Sequence, residues 1–218
     1  YVVVRADGQV KRISDLYSEK VLHPDDQYEP LRVDSTLKPY PQAADGYCTV
    51  IQTGRAPYAW SDATLNFKRP DKNNLIIYEL WVYDYTPFRS IPALAERLDY
   101  LETLGVNAIE LMPVCEFDGN YNWGYSPNHY FALDKAYGSP EMLKAFVDEC
   151  HKRGMAVILD MVFNHATGLN PMNKLYPYGT ELKDNPWFNV TPPHSDNVYE
   201  DWNHDFVPAK TMFTRALQ

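Results

Sequence analysis

Three apolar runs, separated by two stretches of helical periodicity, limit what residues 75–163 can become. Leu75-Ile76-Ile77-Tyr78-Glu79-Leu80-Trp81-Val82 is nearly continuous in apolar character, the pattern of a strand covered on both faces. Ser90 then offers an N-cap, and Ile91, Leu94, Ala95, Leu98, Leu101 and Leu104 hold a 3.6-residue period. Gly105 stands where a left-handed C-terminal cap belongs. Asn107 to Val114 is the second run. A long loop from Cys115 to Gly138 leads to Ser139-Pro140-Glu141, which supplies a cap, a proline at the first helical position and an acid in the first turn. Met142, Leu143, Phe146, Val147 and Cys150 form that helix's apolar stripe, Gly154 ends it, and Met155 to Phe163 is the third run. A βαβαβ order of this kind requires parallel strands and right-handed crossovers.

The flanking regions read differently. Residues 1–74 lack helical periodicity. Tyr1–Val4 and Tyr47–Ile51 read as short strands, Asp7-Gly8 as a hairpin turn, and His23–Pro41, with Pro24, Pro30, Pro39 and Pro41, as an extended linker. After His165 the chain is irregular and rich in Pro, Asn, Asp and aromatics to Asp205. Pro208–Gln218 then reads as a helix with Met212, Phe213, Ala216 and Leu217 on one face. No internal repeat appears beyond the strand–helix alternation. A closed eight-stranded barrel needs about 250 residues, whereas residues 75–218 supply three strands. The strands at both ends of the series lack the charge or proline that blunts an edge. The expectation is therefore a contiguous section of a larger protein.

Composition narrows the ligand. Lysine and arginine total 20 against 29 aspartates and glutamates, a net charge of −9, which disfavours nucleic acid. No apolar run reaches the roughly 18 residues of a membrane span, so a soluble protein is expected, cytoplasmic or secreted. The 17 Tyr, 5 Trp and 9 Phe argue against disorder and suit stacking on the flat faces of a neutral ligand such as a sugar. Cys48, Cys115 and Cys150 show no close metal spacing and are read as reduced and buried. Asn189-Val190-Thr191 fits a glycosylation sequon and is read as a chance match.

Ligands of parallel sheets bind at the strand carboxyl ends, so the polar residues there are candidates. Alternation places Ala156, Ile158, Asp160 and Val162 on one face of the third strand, and Asp160 interrupts it near its exit. A carboxylate in that position must be paired or hydrogen-bonded. It is either a structural group or part of a site, and Asn164-His165 at the same exit adds an amide and an imidazole. Tyr121-Asn122-Trp123-Gly124-Tyr125-Ser126-Pro127-Asn128-His129-Tyr130 is either a self-packed loop or a stacking wall for a polyhydroxylated ligand.

At these residues the sequence resembles a known family. Gly-Tyr-Ser-Pro at 124–127, Tyr-Gly-Ser-Pro-Glu at 137–141 and Asp-x-x-x-Asn-His at 160–165 resemble the α-amylase family, glycoside hydrolase family 13. Leu-Ile-Ile-Tyr-Glu-Leu at 75–80 is similar to that family's first barrel strand. The resemblance covers 75–218 and implies an α/β fold: a partial (β/α)8 TIM barrel, its first three β/α units plus a short domain B insertion at 166–205. Residues 1–74 resemble the end of the β-sandwich, with its linker, that precedes the barrel in branching and debranching members, Asp15–Leu22 matching that junction.

The resemblance also implies roles. Tyr125 matches the tyrosine that stacks on the sugar in subsite −1, with Trp123 beside it as a substrate-binding residue. His165 matches the histidine that hydrogen-bonds the 6-hydroxyl, and Asp160 the aspartate that orders the site by pairing with an arginine on the next strand. Asn164 matches a position that gives an oxygen to a structural calcium in many members, with Asp184, Asp196 and Asp201 available nearby. Calcium is the one implied ion, and no cofactor is required. The implied partners are an α-glucan oligosaccharide or polysaccharide and the remainder of the chain's own barrel, with no nucleic acid and no membrane.

Retaining glycosidases need a nucleophile and an acid/base about 5–5.5 Å apart. In this family those carboxyl groups come from later strands, so they are expected beyond Gln218, and Glu79 and Glu110 match neither role. Three readings compete: part of a glycosidase acting on α-1,4 or α-1,6 links of starch- or glycogen-like polymers, inactive as this chain alone; part of a branching enzyme that transfers glucan to a sugar hydroxyl; or a non-catalytic sugar-binding relative. A βαβ protein with an unrelated ligand is the residual alternative.

Overall fold

The structure, a computed structural model, describes residues 1–28, 34–176, 184–196 and 198–218. Strands β1 (Val2–Val4) and β2 (Val10–Arg12) pair antiparallel across the Asp7-Gly8 turn, as the sequence predicts. β3 (Val21–Leu22) pairs antiparallel with β4 (Cys48–Thr49), a shorter strand than Tyr47–Ile51 suggested. The expected linker is not wholly extended: Pro24–Tyr28 forms a 3-10 turn. Asp34 is buried and accepts from Lys20 Nζ at 2.5 Å, and Pro30 lies outside the described residues. A one-turn helix, α1 (Asp62–Leu65), leads to β5 (Ile77–Leu80) and a second single turn, α2 (Val82–Tyr85).

The predicted first helix is two pieces, α3 (Ile91–Ala95) and α4 (Leu98–Thr103). Ser90 caps α3 by accepting from the Ala93 amide. Between the pieces the Arg97 amide bonds the Leu94 carbonyl at 2.9 Å, a tighter i→i+3 turn that still delivers Leu94, Leu98 and Leu101 to the core. After β6 (Ala108–Leu111) comes the largest departure from expectation. The span read as one loop holds a hairpin, β7 (Cys115–Phe117) against β8 (Pro127–Leu133), with register shifts along it. Nearly all of β8 is buried, so no polar/apolar alternation announces it. α5 (Pro140–Lys152) begins at the predicted cap, Ser139 accepting from the Met142 amide. It buries Phe146 and Cys150, and also Asp148, which accepts from Ser61 and Thr64 of the α1 turn.

β9 (Ala156–Leu159) completes a parallel sheet of order β5-β6-β9. It stops short of Phe163. His165 and Ala166 form β10 (His165–Ala166), which departs the sheet to pair with β11 (Glu200–Asp201) across the irregular stretch that also holds α6 (Pro171–Leu175). α7 (Val207–Ala216) closes the described chain. The three cysteines are free thiols, Cys48 only half-buried. No helix among the described residues is long and apolar enough to cross a membrane.

The sheet is aligned residue for residue: Tyr78, Ile109 and Val157 are partners, as are Leu80, Leu111 and Leu159. That face packs on Leu94, Leu98, Leu101, Phe146 and Cys150, and each fully buried leucine contributes about 1.5–3 kcal/mol. The opposite face, with Ile77, Glu79, Glu110 and Ile158, is not covered in the same way. Ile77 and Glu79 are exposed, and so is Leu159 at the β9 end, which corrects the expectation of strands covered on both sides. A second core joins Ile13 and Leu16 to Tyr130, Ala166, Met172, Phe188, Trp202 and Phe213. Residues from 1–74 therefore share their apolar clusters with the rest of the chain.

A buried ion cluster fastens the N-terminal segment to the β7–β8 hairpin. Lys135 Nζ donates to Glu116 and lies 3.2 Å from Asp26, with Asp134 beside them, all four residues buried. Burial drives the Glu116 carboxyl upward and Lys135 opposes it; the surrounding carboxylates hold the Lys135 ammonium above its ordinary value. Lys135→Met removes the cation that faces the buried Glu116 and Asp26 and should cost about 3–5 kcal/mol in urea denaturation. The Glu116 carboxyl, already pushed up by burial, then ionises still less readily folded than unfolded, so stability falls as pH rises above the ordinary carboxylate range. The deficit should be larger at about pH 8 than at about pH 5; an equal deficit at both would contradict the cluster's role.

Candidate functional site

Parallel register sets the site's position. Because Leu80, Leu111 and Leu159 are level, the residues that follow them, Trp81, Met112 and Asp160, emerge along one carboxyl rim. The Asp160 amide still bonds the Leu111 carbonyl at 3.0 Å, so its backbone is fixed by the sheet although β9 has formally ended.

The 118–126 loop is brought to that rim and clamped there. Tyr125 Oη donates to Asp160 Oδ2 at 2.8 Å. The Tyr125 carbonyl accepts from His165 Nε2 at 2.7 Å. One residue is thus tethered at its side chain by the β9 exit and at its backbone by β10. A carbonyl can only accept, so the His165 proton sits on Nε2, and Nδ1 is left to accept from Asn164 Nδ2 at 3.0 Å. The His165 backbone is held in turn: its carbonyl accepts from Tyr130 Oη at 2.7 Å, and that phenol accepts from Trp202 Nε1 at 2.8 Å. Tyr125 keeps 37% of its surface exposed, whereas His165 is buried. Partial burial, then Asp160 and the charges of Glu79 and Glu110, push the Tyr125 phenol up to about 12.

Gly124 makes the approach feasible. Its φ is +96°, and a Cβ built there would lie 2.1 Å from the Pro113 carbonyl oxygen, so the loop rests on the chain leaving β6. The sequence-predicted set of Asp160, Asn164, His165 and Tyr125 does assemble. Trp123 stands apart from these contacts, 60% exposed and edge-on to Trp81. Tyr199 was missed by sequence reasoning. It comes from the far end of the irregular stretch, lays its ring 5.2 Å from that of His165 and accepts from Ser126 Oγ at 3.1 Å. Its only sequence signal was membership of an aromatic-rich segment.

Among the described residues no three His, Cys, Asp or Glu side chains converge on a common point. Asp201 is buried and accepts from Asn189 Nδ2 at 2.6 Å and from His194 Nε2 at 3.0 Å; Asp184 and Asp196 are exposed. The Asn189 amide nitrogen donates to both Asp201 and the Trp202 carbonyl.

A family model described as the alpha amylase catalytic domain matches residues 88–211, more than half of the chain. This chain belongs to the α-amylase family. It is 36% identical over 169 residues to the malto-oligosyltrehalose trehalohydrolase of Saccharolobus solfataricus, covering 76% of this chain and 29% of that protein. It is also 40% identical over 147 residues to the enzyme of that name from Arthrobacter ramosus, and 36% identical over 149 residues to Pullulanase A of Streptococcus pneumoniae. Those two matches cover 66% and 51% of this chain, and 25% and 12% of the relatives. The chain therefore spans less than a third of these relatives. Among solved structures, the Group B Streptococcus pullulanase SAP superposes with a TM-score of 0.65 at 24% identity, over 98% of this chain and 30% of that one. The α-amylase family likeness implies a TIM-barrel-type fold, and the parallel β5-β6-β9 sheet is consistent with it.

Gly124→Ala should be among the most damaging single-methyl additions in this α-amylase-family chain. The added carbon meets backbone, not a movable side chain, at a φ that L-residues resist. A loss of about 2–3 kcal/mol or more is expected, together with a changed near-ultraviolet circular dichroism signal from the aromatic loop. A variant with unaltered melting temperature and spectrum would contradict the clamp.

Proposed function

We propose that this chain is the opening part of the catalytic barrel of a retaining glycoside hydrolase that acts on α-1,4 or α-1,6 glucosidic bonds of starch- or glycogen-like polymers. On this reading β5, β6 and β9 are the first three barrel strands, residues 166–205 are the domain B insertion, and residues 1–74 are the end of a preceding β-sandwich with its linker. The observation that carries the proposal is the convergence of Tyr125, Asp160 and His165 at one strand-end rim.

Each residue has a physical role in holding a glucosyl unit. Tyr125 offers an aromatic face to the C–H face of a pyranose. Its Oη is tied to Asp160 Oδ2, so the ring cannot swing away. Asp160 Oδ1 has no hydrogen-bond partner among the described residues and is free to accept from a later strand's arginine or a sugar hydroxyl. His165 keeps its donor on Nε2, and a 6-hydroxyl reaching that nitrogen would share the proton now given to the Tyr125 carbonyl. Trp123 lies on the same loop and extends the aromatic surface. The remaining barrel strands would cover the exposed Ile77 and Leu159 and bring the nucleophile and the acid/base, which Glu79 and Glu110, side by side within the sheet, do not supply. A relative named as a trehalohydrolase supports hydrolysis over glycosyl transfer.

The purified chain should bind maltooligosaccharide in calorimetry and release no reducing sugar. Tyr125→Ala should weaken that binding roughly tenfold or more, the loss of one well-packed aromatic contact. Hydrolysis by the chain itself, or full-strength binding by Tyr125→Ala, would overturn the assignment.

A further inference from the structure

Residues 1–74 are tied to the rest of the chain in several places, and one tie ends beside the site. Tyr47 is buried, its ring edge-on to that of His129 at 4.8 Å and 4.6 Å from that of His23. Its Oη donates to the Phe117 carbonyl of β7 at 2.8 Å and accepts from Asn128 Nδ2 of β8 at 3.2 Å. The phenol thus gives its one proton to one strand of the hairpin and a lone pair to the other. Asn128 has no exposed surface and binds in a third direction. Its Oδ1 accepts from Thr167 Oγ1, and its carbonyl accepts from Asn170 Nδ2 at 2.8 Å. One buried amide therefore joins the N-terminal segment, the hairpin and the irregular stretch that follows β10.

We infer that Tyr47 and Asn128 are positioning residues for Tyr125: docking of residues 1–74 on the β7–β8 hairpin fixes the far anchor of the 118–126 loop and so sets the affinity for glucan. This rests on the glucan reading and adds to it a role for the N-terminal segment. The first support is the short, fully bonded path. Asn128 follows Tyr125 by three residues. Between them the Ser126 carbonyl accepts from the Asp118 amide at 2.9 Å, Ser126 Oγ donates to Tyr199, and the Pro127 carbonyl accepts from the Thr167 amide at 3.4 Å. Pro127 also has a fixed φ, so a shift at Asn128 is passed along the chain rather than absorbed. At its other side Tyr125 adjoins Gly124, which rests on Pro113.

The second support is where the other ties end. Ser61 Oγ donates to Asp148 on α5 at 2.7 Å, Lys174 of α6 lies 3.1 Å from Asp45, and Asp26 meets Lys135 beyond the far end of β8. By contrast Tyr47 grips the start of β8, and the buried pair of Ser14 Oγ and His129 Nε2, 2.8 Å apart, holds the next residue. Removing the Tyr47 hydroxyl leaves the Phe117 carbonyl and the Asn128 amide without that partner in a buried place, and Asn128 relaxes only by moving the first residues of β8. Coupling of this kind is reciprocal. If the docked segment favours sugar binding, bound sugar favours docking by the same factor.

The test uses the whole chain with maltotetraose. Tyr47→Phe should bind roughly fivefold more weakly or worse and should shift the Tyr125 ring signal in nuclear magnetic resonance of tyrosine-labelled protein, that signal being assigned by its loss in Tyr125→Phe. Ser61→Ala, which loosens the same segment from α5, should change neither. In the wild type, maltotetraose should slow hydrogen exchange at the β3 and β4 amides that flank Tyr47 in the fold, a readout that needs no substitution and decides the matter if Tyr47→Phe fails to fold. Wild-type affinity or an unmoved Tyr125 signal in Tyr47→Phe, an equal loss in Ser61→Ala, or unchanged exchange in sugar-bound wild type would overturn the positioning role while leaving the glucan reading intact. Failure of the wild type to bind maltotetraose would overturn the glucan reading and the affinity claim that rests on it.

Discussion

The in-register parallel pairing of β5, β6 and β9 is the constraint on which the rest depends. Leu80, Leu111 and Leu159 are level partners, so three strands separated by long stretches of sequence end at one height. A slip of one residue in any strand would reverse its faces. Asp160 would then turn toward the helices, and Tyr125 would lose the acceptor for its phenol. The leucine packing of α3, α4 and α5 fixes that register and so specifies the site indirectly.

Above the sheet, the site is held by hydrogen bonds that run into both cores. The path from Trp202 through the Tyr130 phenol to the His165 carbonyl, and from His165 Nε2 to the Tyr125 carbonyl, connects the buried centre of the second core to a part-exposed tyrosine at the rim. Asp160 reaches the same tyrosine from the first core's side. Tyr125 is therefore pre-positioned, which lowers the ordering cost of binding a flexible ligand.

Much of this was legible in local chemistry. Ser90 and Ser139 announce their helices because capping is decided within one turn. The three strands announce themselves because their sequences are nearly continuously apolar, even though Ile77 and Leu159 are exposed. Asp160, Asn164 and His165 could be singled out because three polar groups gather at one strand exit, whereas Tyr125 stood out only through the resemblance of Gly124–Pro127 to the α-amylase family. The β7–β8 hairpin was hidden because a fully buried strand loses its alternation, and the break at Arg97 because no proline or glycine marks it. The exposure of Ile77 and Leu159 followed from contacts, not composition. Tyr199 and Trp81 depend on long-range placement: one arrives from the end of an irregular excursion, and the other reads simply as one more apolar residue of a strand.

The most direct test of the central claim is a crystal structure of the chain with maltotetraose. The account predicts a glucosyl ring against Tyr125, within hydrogen-bonding distance of Asp160, with the sugar chain lying along the carboxyl rim of β5, β6 and β9. A sugar bound elsewhere, with Tyr125 swung away from Asp160 and His165, would contradict it.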